Sequence, residues 1–369
     1  MSVDQRLRHA REKVGLSLRQ VAERTGIGQS SLCEYESGKR APRLSQLQAL
    51  ASLYRRSMSF FLAEGDIPRE IVLWRQKPDG ESAPEIQATF LRLCEQFHNL
   101  EVWCDDHRPC LLPRAEGDPA TYRYPGAERL AKQVRSVLEL GDRPGQSLLW
   151  VLEEVCGVKV FHLPFEPTGS AACTVGESYG PAILLNARAV RWRRNFDLAH
   201  ELFHILTWSI YRGSTEGDAV TPAEEEEKLA TCFAGNLLMP EETVKQAIEA
   251  RSREGKVAFE DLFDIARQFD VSVEALFWRI KFLFNRSEDE TRRDIDRYQS
   301  VATMWEAHRE RDDPPDRPAR FRALALKAFS KGEIAKGVLA EYLGISRQSV
   351  MRLVEGGSPA DEELALPRA

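Results

Sequence analysis

Residues 196–206 read FDLAHELFHIL, with His200 and His204 four apart and Glu201 beside the first. Four residues is a little over one helical turn, so both imidazoles leave one helix face and can hold a single Zn2+, with Glu201 placed to polarise the metal's water. Phe196, Leu198, Ala199, Leu202, Ile205 and Leu206 make the helix apolar nearly all round, which predicts burial. Ionisable side chains on a buried helix need partners such as a metal; the alternative is a pair of satisfied core histidines. A catalytic zinc also needs a third protein ligand and an open position. Downstream, in AEEEEKLATCFAGNLLMP, Glu227, Ala230, Ala234 and Leu238 fall near one helical stripe whose small residues allow close packing on the first helix. Glu227 is the expected third ligand. Residues 224–226 are expected to be a solvated helix start, their charges favoured by the N-terminal dipole.

The elements that must position these residues can be read outward from them. VKVFHLP and AILLN, separated by Gly and Pro, read as strands of a small sheet, and apolar spacing predicts helices near 127–138 and 147–156. Residues 65–113 read as a connector with a packing helix over 84–99, carried by Ile86, Phe90, Leu93 and Phe97. The first sixty residues are helix-patterned throughout. Ser17 with Gln20 three residues on reads as a capping box, Gly26 as a stop, and Gly28 to Ser30 as the next start, which together make a helix-turn-helix.

Length and charge agree with a modular chain. The 369 residues imply two or three domains. Apolar residues at 43 % and charged residues at 29 % are globular proportions, and no apolar run approaches the eighteen needed to span a membrane. The charged start is unlike a secretory signal, so a cytoplasmic protein without membrane partners is expected. Seven cysteines with no C-x-x-C pair argue against a disulfide framework or a four-cysteine zinc module. Residues 1–56 carry eleven Lys and Arg against five Asp and Glu, whereas the whole chain has net charge −6. A basic head before an acidic body fits one module that meets phosphates.

Three motifs resemble known families. The first sixty residues, through EYESGKRAPRLSQLQALASLY with Glu36, Gly38 and Pro42, are similar to Xre-type helix-turn-helix domains, which implies DNA, single- or double-stranded, as a partner. Gln29, Ser30 and Ser31 would then reach bases, with Lys39, Arg40 and Arg43 on phosphates. Leu18 and Glu34 depart from that pattern, and a module that only dimerises or docks on a partner is the alternative. Thr207 and Ile210 exclude the metzincin pattern, which needs Gly and His there. FDLAHELFH followed by EKLATCFAGNLLMP instead resembles the ImmA/IrrE family of zinc metallopeptidases, over about residues 115–285. This implies Zn2+ on His200, His204 and Glu227, Glu201 as general base, a strand ending at Asn186, and VSVEALFWRIKFL as the closing helix. Phe203, where many members have Gly, is expected to narrow the cleft; Thr231 replaces the usual Asn.

The expected fold is α+β and predominantly α. It comprises an Xre-type domain over 1–64, the connector over 65–113, a zincin-like metallopeptidase domain with a small sheet over 114–286, and a helical region over 287–369. The last holds a second helix-turn-helix-like unit at 334–355, where Ala340, Glu341, Gly344 and Ile345 echo Ala22, Glu23, Gly26 and Ile27, and Arg347, Gln348 and Arg352 could meet phosphate. RPCLLP around Cys110 resembles the Pro-Arg-Cys switch segment of matrix metalloproteases, and Cys173 lies in the Gly-Ser loop TGSAACTVGES. Either thiol is a candidate to occupy the zinc's open position and hold the enzyme off. The family resemblance implies an endopeptidase that cuts a partner repressor, expected to be Xre-type, and derepresses stress-response or phage-defence genes, with DNA or a DNA-damage signal at the basic head as the expected trigger. Xre-type domains often dimerise, so a homodimer is one expectation. The competing expectation is a DNA-binding regulator whose metal is structural or sensory and which cuts nothing.

Overall fold

The computed structural model of the protein describes residues 1–63, 65, 70–78, 82–166, 171–212, 222–306 and 312–355. Five helices open the chain: α1 (Val3–Lys13), α2 (Leu18–Thr25), α3 (Gln29–Glu36), α4 (Leu44–Leu53) and α5 (Met58–Leu62). Ser17 accepts from the Gln20 N–H while the Gln20 side chain accepts from the Ser17 N–H, and Gly26 ends α2 at φ 72°, a conformation a Cβ disfavours. Leu7, Ala10, Val21, Ile27, Leu32, Tyr35, Leu47 and Leu50 close a small core of their own. Arg11 ties α1 to α3 through a two-pronged pair with Glu36 at 2.7 and 2.9 Å.

The rest of the chain is organised by a four-stranded sheet of order β1-β3-β4-β2, comprising β1 (Val72–Trp74), β2 (Lys159–Leu163), β3 (Ala171–Gly176) and β4 (Gly180–Asn186). β3 is antiparallel to β1 and β4, and β2 runs parallel to β4. β2 and β4 are the two strands expected from sequence. β3 is a correction: Cys173 sits in its middle and not in a loop, while 168–170 of the expected Gly-Ser loop lie outside the described residues. Further helices are α6 (Ser82–Cys104), α7 (Tyr124–Val137), α8 (Leu148–Trp150, running into a π-helical turn at Val151–Val155), α9 (Arg191–Leu206), α10 (Trp208–Arg212), α11 (Glu224–Leu238), α12 (Glu241–Glu249), α13 (Phe259–Phe269), α14 (Val273–Leu283), α15 (Glu288–Glu306), α16 (Ala319–Ser330), α17 (Lys336–Leu343) and α18 (Arg347–Glu355).

Period-two alternation gives the sheet two apolar faces. Leu73, Val160, Cys173, Ile183 and Leu185 face the layer that contains α7, α9, α11 and α14. Trp74, Phe161, Ala172, Ala182 and Leu184 face the layer built from α6, α16 and α17. The segment read as a connector is therefore structural in its own right, since it supplies edge strand β1 and the helix that covers one face of the sheet. Rings of Phe90, Phe97, Phe161 and Phe321 meet edge-on there, with centroids 5.4 to 6.3 Å apart.

The C-terminal helical pair α17 and α18 turns at Gly344, φ 67°, as its likeness to the first module predicts. Leu339, Ala340, Tyr342 and Val350 bury against the α6 layer, leaving Arg347, Gln348 and Arg352 exposed. At the other end of the body, Arg56 is 3 % exposed and joins the helical head to it by pairing with Glu70 at 2.6 Å and with Glu95 of α6 at 2.8 Å. Among the described residues no helix is long and apolar enough to cross a membrane.

Candidate metal centre

Every residue of α9 from Asp197 to Leu206 is buried, as the apolar pattern of FDLAHELFHIL requires. Helix α11 packs across it, and the sheet lies behind it through β3 and β4. This crossing brings one ligand-type atom each of His200, His204 and Glu227 within 4.8 Å of one another, and no other such His, Cys, Asp or Glu group occurs among the described residues. His200 Nε2 lies 3.0 Å from Glu227 Oε2, and His204 Nε2 lies 3.4 Å from Glu227 Oε1. The two Nε2 atoms and one carboxylate thus converge, leaving the Nδ1 atoms turned away.

A buried group without a hydrogen-bond partner normally loses about 1–3 kcal/mol, so its presence calls for an explanation. His200 Nδ1 is such an atom, and the Glu201 carboxyl has only the weakly donating Cys173 thiol against it; both belong to this cluster. Two imidazole nitrogens and a carboxylate are the donor set of a three-ligand catalytic zinc site, and Glu201 lies within the fields of His204 and Glu227. The residues present fit the metal.

Charges at the site follow from burial and pairing. Burial drives the His200 value down to about 3, keeping that ring neutral and able to ligate. For His204 burial acts in the same direction, but hydrogen bonds to Glu226 and Glu227 overcome it and raise the value to about 9. Burial would raise Glu227, yet its bonds to the two histidines bring it down to about 2. Glu201 is pushed up to about 7, chiefly by burial, with the field of His204 opposing. At neutral pH His204 therefore carries a proton that a metal must displace, while His200 and Glu227 release none. Zinc uptake by the metal-free protein at pH 7 is expected to release protons, that of His204 among them, and its affinity to rise with pH through neutrality. Calorimetric titrations in buffers of different ionisation heat read this directly; proton-neutral uptake would contradict it.

Glu226 corrects the sequence reading. It is 3 % exposed, not part of a solvated helix start, and accepts a 2.8 Å bond from His204 Nδ1 and a 2.7 Å bond from Arg212 Nη1. A carboxylate on the far nitrogen of a ligating histidine fixes its tautomer and raises its basicity. Glu224 and Glu225 are exposed, as expected. Glu226→Gln is expected to weaken zinc binding about 10- to 100-fold with the ligands intact, as measured by chelator competition.

Two further charges were missed. Arg75, just past β1, pairs with buried Asp197 of α9, lies over the Phe196 ring at 5.7 Å and extends its field to His200 and Glu201. Arg212, eight residues after His204, holds Glu226. Neither has a sequence signal, because each meets the site through a different element.

The remaining candidates are placed as follows. Cys173 is fully buried and faces Glu201, with its thiol held neutral by burial and by that carboxyl. Cys110 is exposed, and its electrostatic neighbour is Cys156. Neither thiol joins the three donors. Phe203 is another correction: it is fully buried between Tyr122 and Phe233, so it packs the core and does not narrow a cleft. Asn186 ends β4 and donates to the Phe165 carbonyl at 2.7 Å. In the head, Gln29 and Ser30 are exposed at the start of α3, Ser31 is half-buried, and Lys39, Arg40 and Arg43 are exposed beyond its end.

Residues 153–281 match the IrrE N-terminal-like domain model of the Peptidase M78 family, and residues 7–61 match a helix-turn-helix model. The chain carries an IrrE N-terminal-like domain behind a helix-turn-helix domain. The HTH-type transcriptional regulator ImmR of Bacillus subtilis (strain 168) is 33 % identical over 70 residues, 19 % of this chain, and the chain spans 55 % of that relative's length. An uncharacterized HTH-type transcriptional regulator of the same organism, YobD, is 36 % identical over 81 residues, or 20 % of this chain and 72 % of that protein. The crystal structure of Bacillus thuringiensis PlcR in complex with the peptide PapR7 and DNA aligns over 96 % of this chain and 95 % of that one, at 14 % identity. Its TM-score of 0.17 is too slight a likeness to bear on fold or function. The converging donors lie within the IrrE-like match.

Proposed function

We propose that the protein is a zinc-dependent endopeptidase that cleaves a partner transcriptional repressor, with its helix-turn-helix head binding DNA and setting when cleavage occurs. The observation that carries this reading is Glu201: a fully buried carboxyl that meets only the weakly donating Cys173 thiol among the described residues, beside a cluster of two imidazoles and a carboxylate. A purely structural site needs no base next to it, whereas a hydrolytic one does. The Zn2+ that His200, His204 and Glu227 would hold supplies Lewis acidity to a water molecule and to the scissile carbonyl.

Glu201 does the proton work. Its carboxylate takes a proton from the attacking water and later gives it to the leaving amine nitrogen, so that one water and one peptide bond become a carboxylate and an amine. Burial pushes its carboxyl up in the metal-free site, and a nearby cation would favour the carboxylate that accepts the first proton. His204, held by Glu226 and Arg212, keeps its Nε2 on the donor cluster throughout.

The head supplies the second half of the reading. Gln29 and Ser30, exposed at the start of α3, would meet base edges, with exposed Lys39, Arg40 and Arg43 on phosphates. A repressor substrate and release of stress-response or phage-defence genes follow from the family resemblance. The test incubates zinc-loaded wild-type and Glu201→Gln proteins with the repressor encoded beside the gene, with and without single- and double-stranded DNA. Cleavage by the wild type alone supports the reading, and a DNA-dependent rate identifies the head as its regulator. No cleavage under any condition, with a promoter fragment still bound, would replace it by a metal-bearing DNA-binding regulator.

A further inference from the structure

A groove of about 740 Å³ opens beside the donor cluster, and Glu227 belongs to both. Its floor is α11, where Glu227, Thr231 and Gly235 follow at four-residue spacing with Lys228, Cys232 and Asn236 beside them, and Met239 lies just past the helix end. Phe196 of α9, Trp278 and Phe282 of α14 and Tyr124 of α7 form its walls, so the surface is largely apolar. Phe282 is 71 % exposed, an unusual state for a large ring in an otherwise well-packed layer. The buried guanidinium of Arg279, whose Nε is fixed on the Met239 carbonyl at 3.0 Å, marks the far end. From Glu227 to Gly235 the helix rises about 12 Å, the length of three or four residues of extended chain.

Gly235 shows that the groove is kept open. It sits inside α11 without a left-handed φ, where alanine would stabilise a helix by about 1 kcal/mol. A Cβ built there meets nothing within 4 Å, so no neighbour requires the glycine. What a side chain at 235 would remove is space in the groove.

We propose that this groove is the specificity subsite for the substrate: it takes a large apolar side chain, such as Phe, Leu, Met or Trp, within about three residues of the scissile bond. This rests on the endopeptidase reading for its cleavage test but not for its binding test. Burying one such side chain in an apolar groove favours it over Ala by at least tenfold in binding or in kcat/KM.

The cleavage arm digests a peptide mixture with zinc-loaded wild-type, Gly235→Ala and Gly235→Leu proteins and identifies the cut sites by mass spectrometry. Wild type is expected to enrich large apolar residues close to the cut, and Gly235→Leu to reverse the preference toward small residues, with zinc content and melting temperature maintained. The binding arm uses Glu201→Gln protein, with and without zinc, and a fluorescein-labelled peptide carrying Phe or Ala at one position. The Phe peptide should bind at least tenfold more tightly, and adding Gly235→Leu should remove the difference. Equal binding of the two peptides, or an unchanged cut profile in Gly235→Leu, overturns the subsite. Absence of cleavage with the Phe preference intact overturns the peptidase reading alone.

Discussion

Glu201→Gln protein is expected to keep one zinc and to cut its substrate about 10²- to 10⁴-fold more slowly than wild type, the usual contribution of a positioned acid–base group. The substitution is nearly isosteric. It leaves His200, His204 and Glu227 in place, and it removes the negative charge whose burial raised the carboxyl to about 7. Because an amide resists burial less than a carboxylate, the variant should be at least as stable as wild type. Its kcat should fall with little change in KM, since the lost interaction belongs to proton transfer and not to holding the peptide. Measured zinc content and melting temperature separate this from metal loss or unfolding. A variant with wild-type kcat would remove Glu201 from the mechanism.

Arg320→Met is expected to lower stability by about 3 kcal/mol, measured on the first transition of a denaturant or thermal melt. Arg320 is 6 % exposed and donates to Glu101 at 2.6 Å and to Asp106 at 3.0 Å, while the second oxygen of Glu101 pairs with Lys159 of β2 at 3.0 Å. One substitution therefore leaves a buried carboxylate with half its compensation, between the C-terminal helices and the sheet. Adding Glu101→Gln in the Arg320→Met background should recover part of the loss, because the stranded charge goes with it. A loss under 1 kcal/mol would mean that the network contributes nothing net.

The donors were legible because their chemistry is local. A four-residue spacing on one helix fixes two ligands, and the small-residue stripe of α11 points to the third, since close packing of two helices needs Ala230 and Ala234. Glu226 was illegible for a related reason. In a run of four glutamates each side chain lies about 100° from the next, and only the placement of α9 and Arg212 decides which turn inward. β3 was missed because Ala171, Ala172 and Cys173 carry little strand signal beside glycine and serine; the small volume of Ala171 and Cys173 lets α9 pack closely on the sheet. The part of 65–113 played in covering the sheet was hidden by distance. Its partners Phe161 and Phe321 stand far along the chain from Phe97. The C-terminal pair, read from its likeness to the head, is a helix-turn-helix in shape and a wall of the body by packing.

The large ring at position 203 has one more consequence. Wedged between Tyr122 and Phe233, it fixes how far α9 is rolled about its own axis, and with that the direction of both neighbouring imidazoles. The orientation is thus settled by the core when the chain folds. An arriving ion finds a finished seat and has no folding to drive, so zinc should exchange on the timescale of ligand release and not of unfolding. Such a centre can be emptied and refilled in a cell whose zinc supply fluctuates without the protein being lost.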